Sequence, residues 1–306
     1  MRFPNDCDPM ASKAGIDLTA RQRSRWATLI DERISVQRDL PWRRTRDPWG
    51  ILVSEVMLQQ TQVDRVRHAW PLFLASFPTP SACAEKGQAA VVRQWEGMGY
   101  HRRAVALYRC AVKIVEEFEG IVPDSEAALR SLPGIGPYTA NAILAFAFER
   151  DVAVVDTNVA RILSRAVAGT PLTQRQSQEI ADDLVKANKG WAHNQAMLDF
   201  GAMVCRSSPL CGGCPLKKSC RWARSGFADP DPASKTAGTA RPQAAFAGSD
   251  RQIRGKLLSL ARAGRQNLED ISELENEVGE LRVQRLISSL VEDALVKVTA
   301  RGLVLR

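Results

Sequence analysis

The sequence predicts an all-α main domain followed by a small module with a different pattern. Apolar residues recur every three or four positions through residues 19–225, and the alternation typical of strands is hard to find there. Residues 226–248 hold three prolines and three glycines with little apolar content, which is typical of a linker. We therefore expect a loose tail at 1–18, a helical domain at 19–225, a linker at 226–248 and a module at 249–306.

Helical spacing marks six segments of the main domain, each with an apolar face. In chain order they are Arg21–Ile34, Pro48–Val63, Arg102–Phe118, Pro137–Phe148, Thr157–Val167 and Gln174–Ala187. In the module, two or three helices from Arg251 onward precede short apolar segments at Val296–Thr299 and Leu303–Leu305, which predict a hairpin. Helices followed by a hairpin indicate a winged-helix-like module.

Basic residues outnumber acidic ones by 42 to 34, which gives a net charge of +8. Such a chain suits a polyanionic partner such as nucleic acid. Residues 251–306 carry ten basic and eight acidic side chains, so the module is expected to contribute little to that binding. The apolar run Ala142–Phe148 is far too short to span a bilayer, and the N-terminus has no apolar signal segment. We therefore expect a chain that has no contact with membranes.

Four of the seven cysteines crowd into sixteen residues, in the pattern Cys-x5-Cys-x2-Cys-x5-Cys. They are Cys205, Cys211, Cys214 and Cys220. A secreted disulfide framework would spread its cysteines more evenly, so the cluster indicates a metal site in a reducing compartment. Structural zinc usually uses two Cys-x2-Cys pairs, and only one is present. The spacing therefore favours a cubane iron–sulfur cluster, with zinc as the alternative.

One carboxylate stands in the middle of an almost wholly apolar helix. The segment from Asp47 to Thr61 carries apolar residues on its core face and on the opposite side, so the helix should be buried nearly all round. Glu55 lies at its centre. A buried carboxyl group has a raised pKa and is able to hold a proton near neutral pH, as a general acid must. The alternative is a structural glutamate that pairs with an arginine.

A glycine-rich turn lies at residues 132–140, in the sequence LPGIGPYTA. Gly134 and Gly136 follow a proline and open an alanine-rich helix. Such a turn presents backbone N–H groups at a helix N-terminus, where a phosphate is able to bind. The segment is therefore a candidate helix-hairpin-helix motif, which binds a DNA backbone without reading its sequence. A simple turn between two helices is the alternative.

A second carboxylate, Asp156, stands at the predicted start of a helix in the sequence VVDTNV. An aspartate is common as a helix N-cap, which is the structural explanation for it. The functional explanation is an ionised aspartate that acts together with a buried glutamate. An acid and an electrostatic stabiliser are the pair that glycosidic cleavage needs.

Together these motifs resemble the helix-hairpin-helix DNA glycosylase superfamily, and within it the MutY-type adenine DNA glycosylases. The resemblance runs in unbroken order over about residues 19–225. Its motifs are LPWR (40–43), SEVMLQQTQV (54–63), GMGYHRRA (97–104), LPGIGPYTANAI (132–143), VVDTNVARIL (154–163), NQAMLDFGAMVC (194–205) and the cysteine cluster. It implies a two-lobed all-α fold with an iron–sulfur cluster loop. One lobe is formed by the central segments and the other by both ends of the domain.

The resemblance also implies catalytic roles for individual residues. Glu55 matches the general acid of the family. Asp156 matches the aspartate that stabilises the sugar cation, and Asn158 lies close to it in the same motif. Tyr138 stands where bifunctional relatives carry a lysine that attacks C1′. A phenol cannot form that imine, so the implied enzyme releases the base without cutting the strand.

Further residues match positions that contact DNA in the family. Gln60 and Tyr100 match residues that wedge into the duplex beside the extruded base. Arg38, Arg43 and Gln195 match residues that line the adenine pocket. The implied cofactor is a [4Fe–4S] cluster on the four clustered cysteines, and the implied partner is double-stranded DNA with a mismatch or an oxidised guanine. The implied reaction hydrolyses the N-glycosidic bond of adenine mispaired with 8-oxoguanine or guanine. The resemblance also implies a cytoplasmic, DNA-associated protein of bacterial type that acts as a monomer.

The sequence departs from the family in several places. The first cysteine gap is five residues instead of six, and Thr157 and His101 replace a glycine and a second aromatic residue. The C-terminal part is too short for the family's usual Nudix-like domain. Two other functions stay open. One is a thymine or uracil mismatch glycosylase, although its members lack the QQT found here at 59–61. The other is a redox-sensing DNA-binding regulator, which would not explain why Glu55, Tyr138 and Asp156 all occupy the positions of catalytic residues.

Overall fold

The computed structural model describes residues 18–237, 246–264 and 267–306. Within 18–237 the regular structure is entirely helical, which confirms the all-α prediction for the main domain. The only strands in the described residues form a two-stranded antiparallel hairpin near the C-terminus. No helix in these three ranges is long and apolar enough to cross a membrane.

The described residues form fourteen α-helices and two strands. They are α1 (Ala20–Arg33), α2 (Pro48–Leu58), α3 (Val63–Ser76), α4 (Pro80–Gln94), α5 (Arg102–Phe118), α6 (Glu126–Ser131), α7 (Pro137–Phe146), α8 (Thr157–Ile162), α9 (Gln174–Asp182), α10 (Gly190–Met203), α11 (Arg221–Arg224), α12 (Asp250–Ala263), α13 (Leu268–Val278), α14 (Glu280–Glu292), β1 (Val296–Thr299) and β2 (Gly302–Leu305). A π-helical turn, Leu163–Ala168, continues α8 directly.

The chain divides into two compact units. The central unit contains residues 38–152 together with the described residues from 246 onward. The flanking unit contains residues 18–37 and 153–237, so it is built from both ends of the main domain. The C-terminal module belongs to the central unit, which no sequence pattern indicated.

Helix α2 is the buried centre of its unit. Every residue from Trp49 to Met57 is buried. The carboxylate of Asp47 caps the helix by accepting from the N–H groups of Trp49 and Gly50, at 3.2 and 2.8 Å. Two indole N–H groups end on backbone carbonyls around this helix, since Trp49 donates to Phe77 and Trp70 donates to Gly50. These bonds fix the rotation of α2 and hence the direction of its side chains.

Several helix boundaries differ from the predicted ones. The segment Pro48–Val63 splits, because Gln60 adopts a left-handed conformation with φ 57° and ends α2. The six predicted segments do not include α3, α4, α6, α10 or α11. Helix α4 is kinked at Gly87, where φ is 79°. Helix α10 buries polar residues among its apolar ones, and those polar residues hide its apolar period.

The flanking unit has its own apolar core around α8, the π-helical turn and α10. Its largest buried members are Trp26, Ile30, Ile162, Leu163, Met197 and Phe200. Helices α1 and α9 each begin with a capping box, made by Thr19 with Gln22 and by Thr173 with Gln176. These caps explain why the two helices start where the sequence pattern places them.

Residues 226–237, which composition assigns to a linker, are ordered in the flanking unit. A 3₁₀ turn at Pro232–Lys235 follows Asp231, whose carboxylate pairs with Arg165 at 2.5 Å. The hydroxyl of Thr236 is buried and accepts from the N–H of Leu172 at 3.2 Å. A distant charged partner thus orders a segment whose local composition suits a linker, and residues 238–245 of the expected linker lie outside the described residues.

The C-terminal module consists of α12, α13, α14 and the β1–β2 hairpin. Asn267 joins the helices to the hairpin, because its side chain donates to Leu260 and Leu303 and accepts from the N–H of Leu303. Gly302 leaves room for that amide, since a Cβ at this position would lie 1.9 Å from it. The module packs against the rest of the central unit, where Gln88 of α4 donates to the carbonyl of Ala294 at 2.5 Å.

Candidate active site

Glu55 lies one turn before the end of α2, with only 4 % of its surface exposed. Its neighbours on the helix are buried on every side, and Ser54 satisfies its own hydroxyl by donating to the carbonyl of Ile51. The carboxyl group is therefore held in a nearly dry, mostly apolar environment. A proton that a carboxyl group carries there is shielded from bulk water, which suits a general acid.

Gln60 and Tyr100 both adopt left-handed backbone conformations, with φ of 57° and 47°. Such a conformation costs a non-glycine residue roughly 1 kcal/mol or more, so it persists only where the surroundings enforce it. Gln60 is exposed, and Tyr100 is partly exposed with its phenol oxygen accepting from Arg251 at 3.0 Å. Both side chains that the resemblance matches to duplex wedges therefore stand in constrained turns of the central unit.

Arg103 holds these two turns in place. Its guanidinium donates to the carbonyls of Val56 and Met57 at the end of α2, at 2.9 and 2.8 Å. It also donates to the hydroxyl of Thr61 at 2.9 Å and lies over the ring of Tyr100. Burial lowers the pKa of Arg103 to about 10, which still leaves it charged at neutral pH. Arg103 lies in the GMGYHRRA motif but was not among the predicted site residues.

The glycine-rich turn joins α6 to α7. Gly134 has φ 81°, a conformation that favours glycine. A Cβ at this position would also lie 2.9 Å from the Cβ of Ala106 on α5, so the turn requires glycine for two reasons. Gly136 precedes Pro137 at the exposed start of α7 and gives that helix no side-chain cap. An uncapped, exposed helix N-terminus presents N–H groups and positive dipole charge to an anion.

The remaining matched residues of the central unit lie at helix starts and turns. Tyr138 is in the first turn of α7 and partly buried. Arg43 is buried in a 3₁₀ turn, and its guanidinium donates to the carbonyl of Arg38 at 2.9 Å. The motif LPWR thus forms a compact turn in which the backbone of one arginine holds the side chain of the other.

Asp156 is the N-cap of α8, and its carboxylate accepts three hydrogen bonds. Its carboxylate accepts from the N–H groups of Asn158 and Val159, both at 2.8 Å, and from the side-chain amide of Asn158 at 2.7 Å. Burial raises the pKa of Asp156 above its usual value, and these three hydrogen bonds oppose that shift. One carboxylate oxygen, Oδ1, caps the backbone of α8, as the structural explanation predicts. The other oxygen, Oδ2, accepts from the side chain of Asn158 and takes no part in the cap.

Arg161 connects this aspartate to the cysteine-rich loop within the flanking unit. Its guanidinium donates to the side-chain carbonyl of Asn158 at 2.7 Å, to the carbonyl of Cys205 at 2.7 Å and to that of Gly201 at 2.8 Å. A Cβ at Gly201 would lie 2.5 Å from Asn158, so glycine is needed for α10 to approach α8. Arg161 was not predicted from the sequence, because two of its three partners are backbone carbonyls at least forty residues away.

The four clustered cysteines line one small, mostly apolar cavity in the flanking unit. Burial raises the pKa of the Cys214 and Cys220 thiols, and backbone N–H groups oppose that shift, those of Leu216 and Lys217 at Cys214 and those of Trp222 and Ala223 at Cys220. N–H donors of this kind stabilise thiolates, so the donor set suits an iron–sulfur cluster. In the ranges that the structure describes, no three His, Cys, Asp or Glu side chains are arranged around a single metal ion.

Arg165 braces this loop from the π-helical turn. Its guanidinium donates to the carbonyls of Arg206 and Ser207, at 2.7 and 3.0 Å, and pairs with Asp231. It also lies 5.1 Å from the ring of Trp222. With only 2 % of its surface exposed, Arg165 ties three separate segments of the flanking unit around the cysteines.

The structure places the predicted residues on both units. Glu55, Gln60, Tyr100, Tyr138, the two hairpin glycines and the two pocket arginines belong to the central unit. Asp156, Asn158, Gln195 and the four cysteines belong to the flanking unit, where Gln195 is buried on α10. Glu55 and Gln195 lie inside helices α2 and α10, whereas Asp156 and Tyr138 lie at the starts of helices.

The chain is similar to known DNA repair proteins. The profile of the HhH-GPD superfamily of base excision DNA repair proteins matches residues 53–187. The adenine DNA glycosylase of Mycolicibacterium smegmatis is 42% identical over 276 residues, which are 87% of this chain and 90% of that protein. That of Mycobacterium tuberculosis is 40% identical over 87% of this chain and 88% of its own length. The human adenine DNA glycosylase is 40% identical over 60% of this chain and 37% of its own length.

Solved structures share the fold. A thermostable thymine-DNA glycosylase superposes with a TM-score of 0.63 at 27% identity and covers 68% of this chain and all of its own. An endonuclease III trapped on DNA superposes with a TM-score of 0.56 at 22% identity over 69% of this chain and all of its own. The chain therefore belongs to the helix-hairpin-helix superfamily of base excision DNA repair proteins and, within it, to the family of adenine DNA glycosylases.

Proposed function

We propose that this DNA glycosylase removes adenine that is mispaired with guanine or 8-oxoguanine, by hydrolysis of the N-glycosidic bond. The observation that carries the proposal is the 40–42% identity to mycobacterial adenine DNA glycosylases over nearly the full length of both chains. The likeness to the thymine-DNA glycosylase structure is lower, at 27%, and covers less of the chain. The thymine or uracil mismatch activity is thus the second candidate. The two candidates are distinguished by which base the protein releases from a mismatched duplex.

Glu55 is the proposed general acid. Adenine is a poor leaving group as an anion, and protonation at N7 makes it a neutral one. The buried position of Glu55 on α2 supports this role, because a carboxyl group donates a proton best where water does not compete. Arg38, Arg43 and Gln195 are the proposed contacts to the extruded adenine.

Asp156 is the proposed stabiliser of the positive charge that develops on the deoxyribose. An ionised carboxylate lowers the energy of an oxocarbenium-like transition state most strongly in a site with little water. Asn158 positions the carboxylate through its side-chain amide, and Arg161 in turn positions Asn158. The chain of hydrogen bonds fixes the direction of the charge before the sugar is bound.

Extrusion of the adenine from the stack costs about a few kcal/mol. Gln60 and Tyr100 are the proposed wedges that fill the space it leaves. Their constrained turns support this role, because a side chain that is already fixed loses little entropy on insertion. The exposed start of α7 at Gly136 is the proposed contact to a DNA phosphate.

The reaction is expected to stop at the abasic site. Tyr138 stands where a lysine would be needed for a covalent imine, and a phenol has no amine to form it. With a duplex that contains A opposite G, we expect free adenine, an abasic strand with oxygen from water at C1′, and no protein–DNA adduct after borohydride treatment. A trapped adduct in good yield would contradict monofunctional hydrolysis.

The four clustered cysteines are the proposed ligands of a [4Fe–4S] cluster. The cluster would serve as a brace that shapes the loop from Cys205 to Cys220. The support is the common cavity and the backbone N–H groups directed at two of the sulfurs. The first gap of five residues still brings Cys205 to the cavity, since Arg161 holds its carbonyl from α8.

Anaerobically purified protein is expected to contain about four irons per chain and no zinc. Replacing Cys214 with serine should remove most of the iron and its visible absorption, because one of the four ligands is lost. The matched control is Cys83→Ala on α4, which changes a cysteine outside the cluster and should keep the iron. One zinc per chain without iron would show that the sulfurs hold a zinc ion instead.

A further inference from the structure

Residues 226–237, which we call the strap, follow the cysteine-rich loop and are docked on the flanking unit. Near the start of the strap, the carbonyl of Ala228 accepts from the indole N–H of Trp222 at 2.8 Å. At its end, the N–H of Ala237 donates to the carbonyl of Leu172 at 2.9 Å. Two residues of its 3₁₀ turn are buried between these points. The strap is therefore held by contacts with other segments and not by an apolar pattern of its own.

Asp231 is the charged anchor of the strap. Its Oδ1 accepts from Nε of Arg165 at 2.9 Å and its Oδ2 from Nη2 at 2.5 Å, which is the bidentate geometry of a strong ion pair. Oδ1 also accepts from the N–H of Ala233 at 2.9 Å, where the 3₁₀ turn begins. Burial raises the pKa of Asp231, but the bonds to Arg165 and Ala233 outweigh burial and hold this pKa below its usual value. One ionised carboxylate thus fixes both the turn of the strap and the guanidinium.

The same arginine contacts the first and the last of the four clustered cysteines. Its Nη1 donates to the sulfur of Cys205 at 3.8 Å. The backbone carbonyl of Arg165 lies 3.4 Å from the sulfur of Cys220. Burial raises the pKa of the Cys205 thiol, and the positive charge of Arg165 opposes that shift. Because Arg165 is almost wholly buried, its charge is poorly screened by water and stabilises an anionic thiolate there.

The direction of this guanidinium depends on Asp231. Among the acidic side chains that the structure describes, Asp231 is the one paired with Arg165. A buried guanidinium that loses its carboxylate is left with an uncompensated charge, which is strongly unfavourable. It gains by turning toward water, and that movement withdraws its N–H group from Cys205. The carboxylate of the strap therefore holds the donor at the sulfur without touching the sulfur itself.

We propose that Asp231 is a positioning residue for the metal site: it docks the strap and holds Arg165 against Cys205, so that the loaded loop retains its iron. The inference rests on the cluster given under the proposed function. When the strap opens, the sulfurs lose a cationic donor and become accessible to water and oxygen. Loss of iron is then the expected consequence, because thiolate ligands that are less stabilised are more easily protonated or oxidised.

The test compares two substitutions that each remove one carboxylate from the strap. Asp231→Asn keeps the size of the side chain and an oxygen for the N–H of Ala233, but it loses the charge that pairs with Arg165. The matched control is Asp229→Asn, at an exposed position of the same strap. Anaerobically purified, iron-loaded proteins are transferred to aerated buffer with an iron chelator, and the visible absorption is followed. Asp231→Asn should lose its iron about tenfold faster than the wild type, the scale of one lost charge-assisted hydrogen bond. The control should lose iron at the wild-type rate.

Wild-type retention in Asp231→Asn would overturn the proposal. Equally fast loss in Asp229→Asn would also overturn it, because net charge alone would then explain the effect.

A second measurement on the same loaded proteins follows the strap directly. Lys235 is exposed within the strap, so the rate of trypsin cleavage after it reports how often the strap opens. Cleavage should be faster in Asp231→Asn and unchanged in Asp229→Asn. Faster iron loss without faster cleavage would show that strap docking does not hold the metal, and would overturn the proposal.

The iron content of the wild type is measured separately before either experiment. Zinc in place of iron would contradict the proposed cluster, whereas cleavage after Lys235 would still test the docking of the strap by Asp231. Failure of the proposed cluster is thus distinguished from failure of this inference.

Discussion

Replacing Glu55 with glutamine is expected to slow base release by about 10²–10⁴-fold, which is the range that general acid catalysis contributes. Glutamine keeps the shape of the side chain in the buried wall of α2, but it cannot deliver a proton to adenine. The measurement is single-turnover release of adenine from a duplex with A opposite G. Binding of the same duplex should change little, because the phosphate contacts lie elsewhere.

A matched control is Glu116→Gln, which removes an exposed carboxylate of α5 in the same unit. It should release adenine at the wild-type rate. If Glu55→Gln is folded, binds DNA and still turns over within a few-fold of the wild type, Glu55 is not the acid. The buried carboxylate would then be a structural residue of α2.

Replacing Asp156 with asparagine is expected to slow base release by about 10²–10³-fold, the scale of a lost electrostatic stabiliser. Asparagine still caps α8, so the backbone N–H groups of Asn158 and Val159 keep an acceptor. The side chain loses its negative charge and with it the stabilisation of the sugar cation. Asp183→Asn, at the end of α9 in the same unit, is the control and should be fully active.

The pKa of Asp156 adds a check on stability. Burial raises this pKa above 3.8, so the folded protein holds the proton more tightly than the unfolded chain. The ionised carboxyl group therefore costs stability above that pKa, and the cost is lost as the pH falls through it. This cost is measured as the pH dependence of the wild type's free energy of unfolding, because Asp156→Asn also removes the acceptor of the Asn158 side-chain amide. In the wild type, base release should fall on the acid side with an apparent pKa above 3.8.

The helices whose start carries a local signal were predictable from sequence. Thr19 and Thr173 cap their helices within three residues, so the information lies in the same short segment as the structure. The order in residues 226–237 was not predictable, because it depends on an ion pair between Asp231 and Arg165 across 66 positions. The composition of a segment predicts its conformation in isolation, and it does not include the effect of a distant ion-pair partner such as Arg165.

The candidate site likewise contains residues that the sequence identifies and residues that it does not. Glu55, Asp156 and the cysteines stand in motifs whose residue types are themselves the chemistry, so the sequence identifies them. Arg103 and Arg161 were not identified, because they act on backbone carbonyls that any residue presents. An arginine beside a motif shows its role only when its partners are known.

The most direct measurement of the central claim is the identity of the base released from four duplexes. Adenine is expected to leave from A opposite 8-oxoguanine and from A opposite guanine, and nothing should leave from G opposite thymine or G opposite uracil. All four duplexes are incubated with excess protein, and the free base is identified by mass. Release of thymine or uracil without adenine would contradict the account and assign the chain to mismatch repair of pyrimidines.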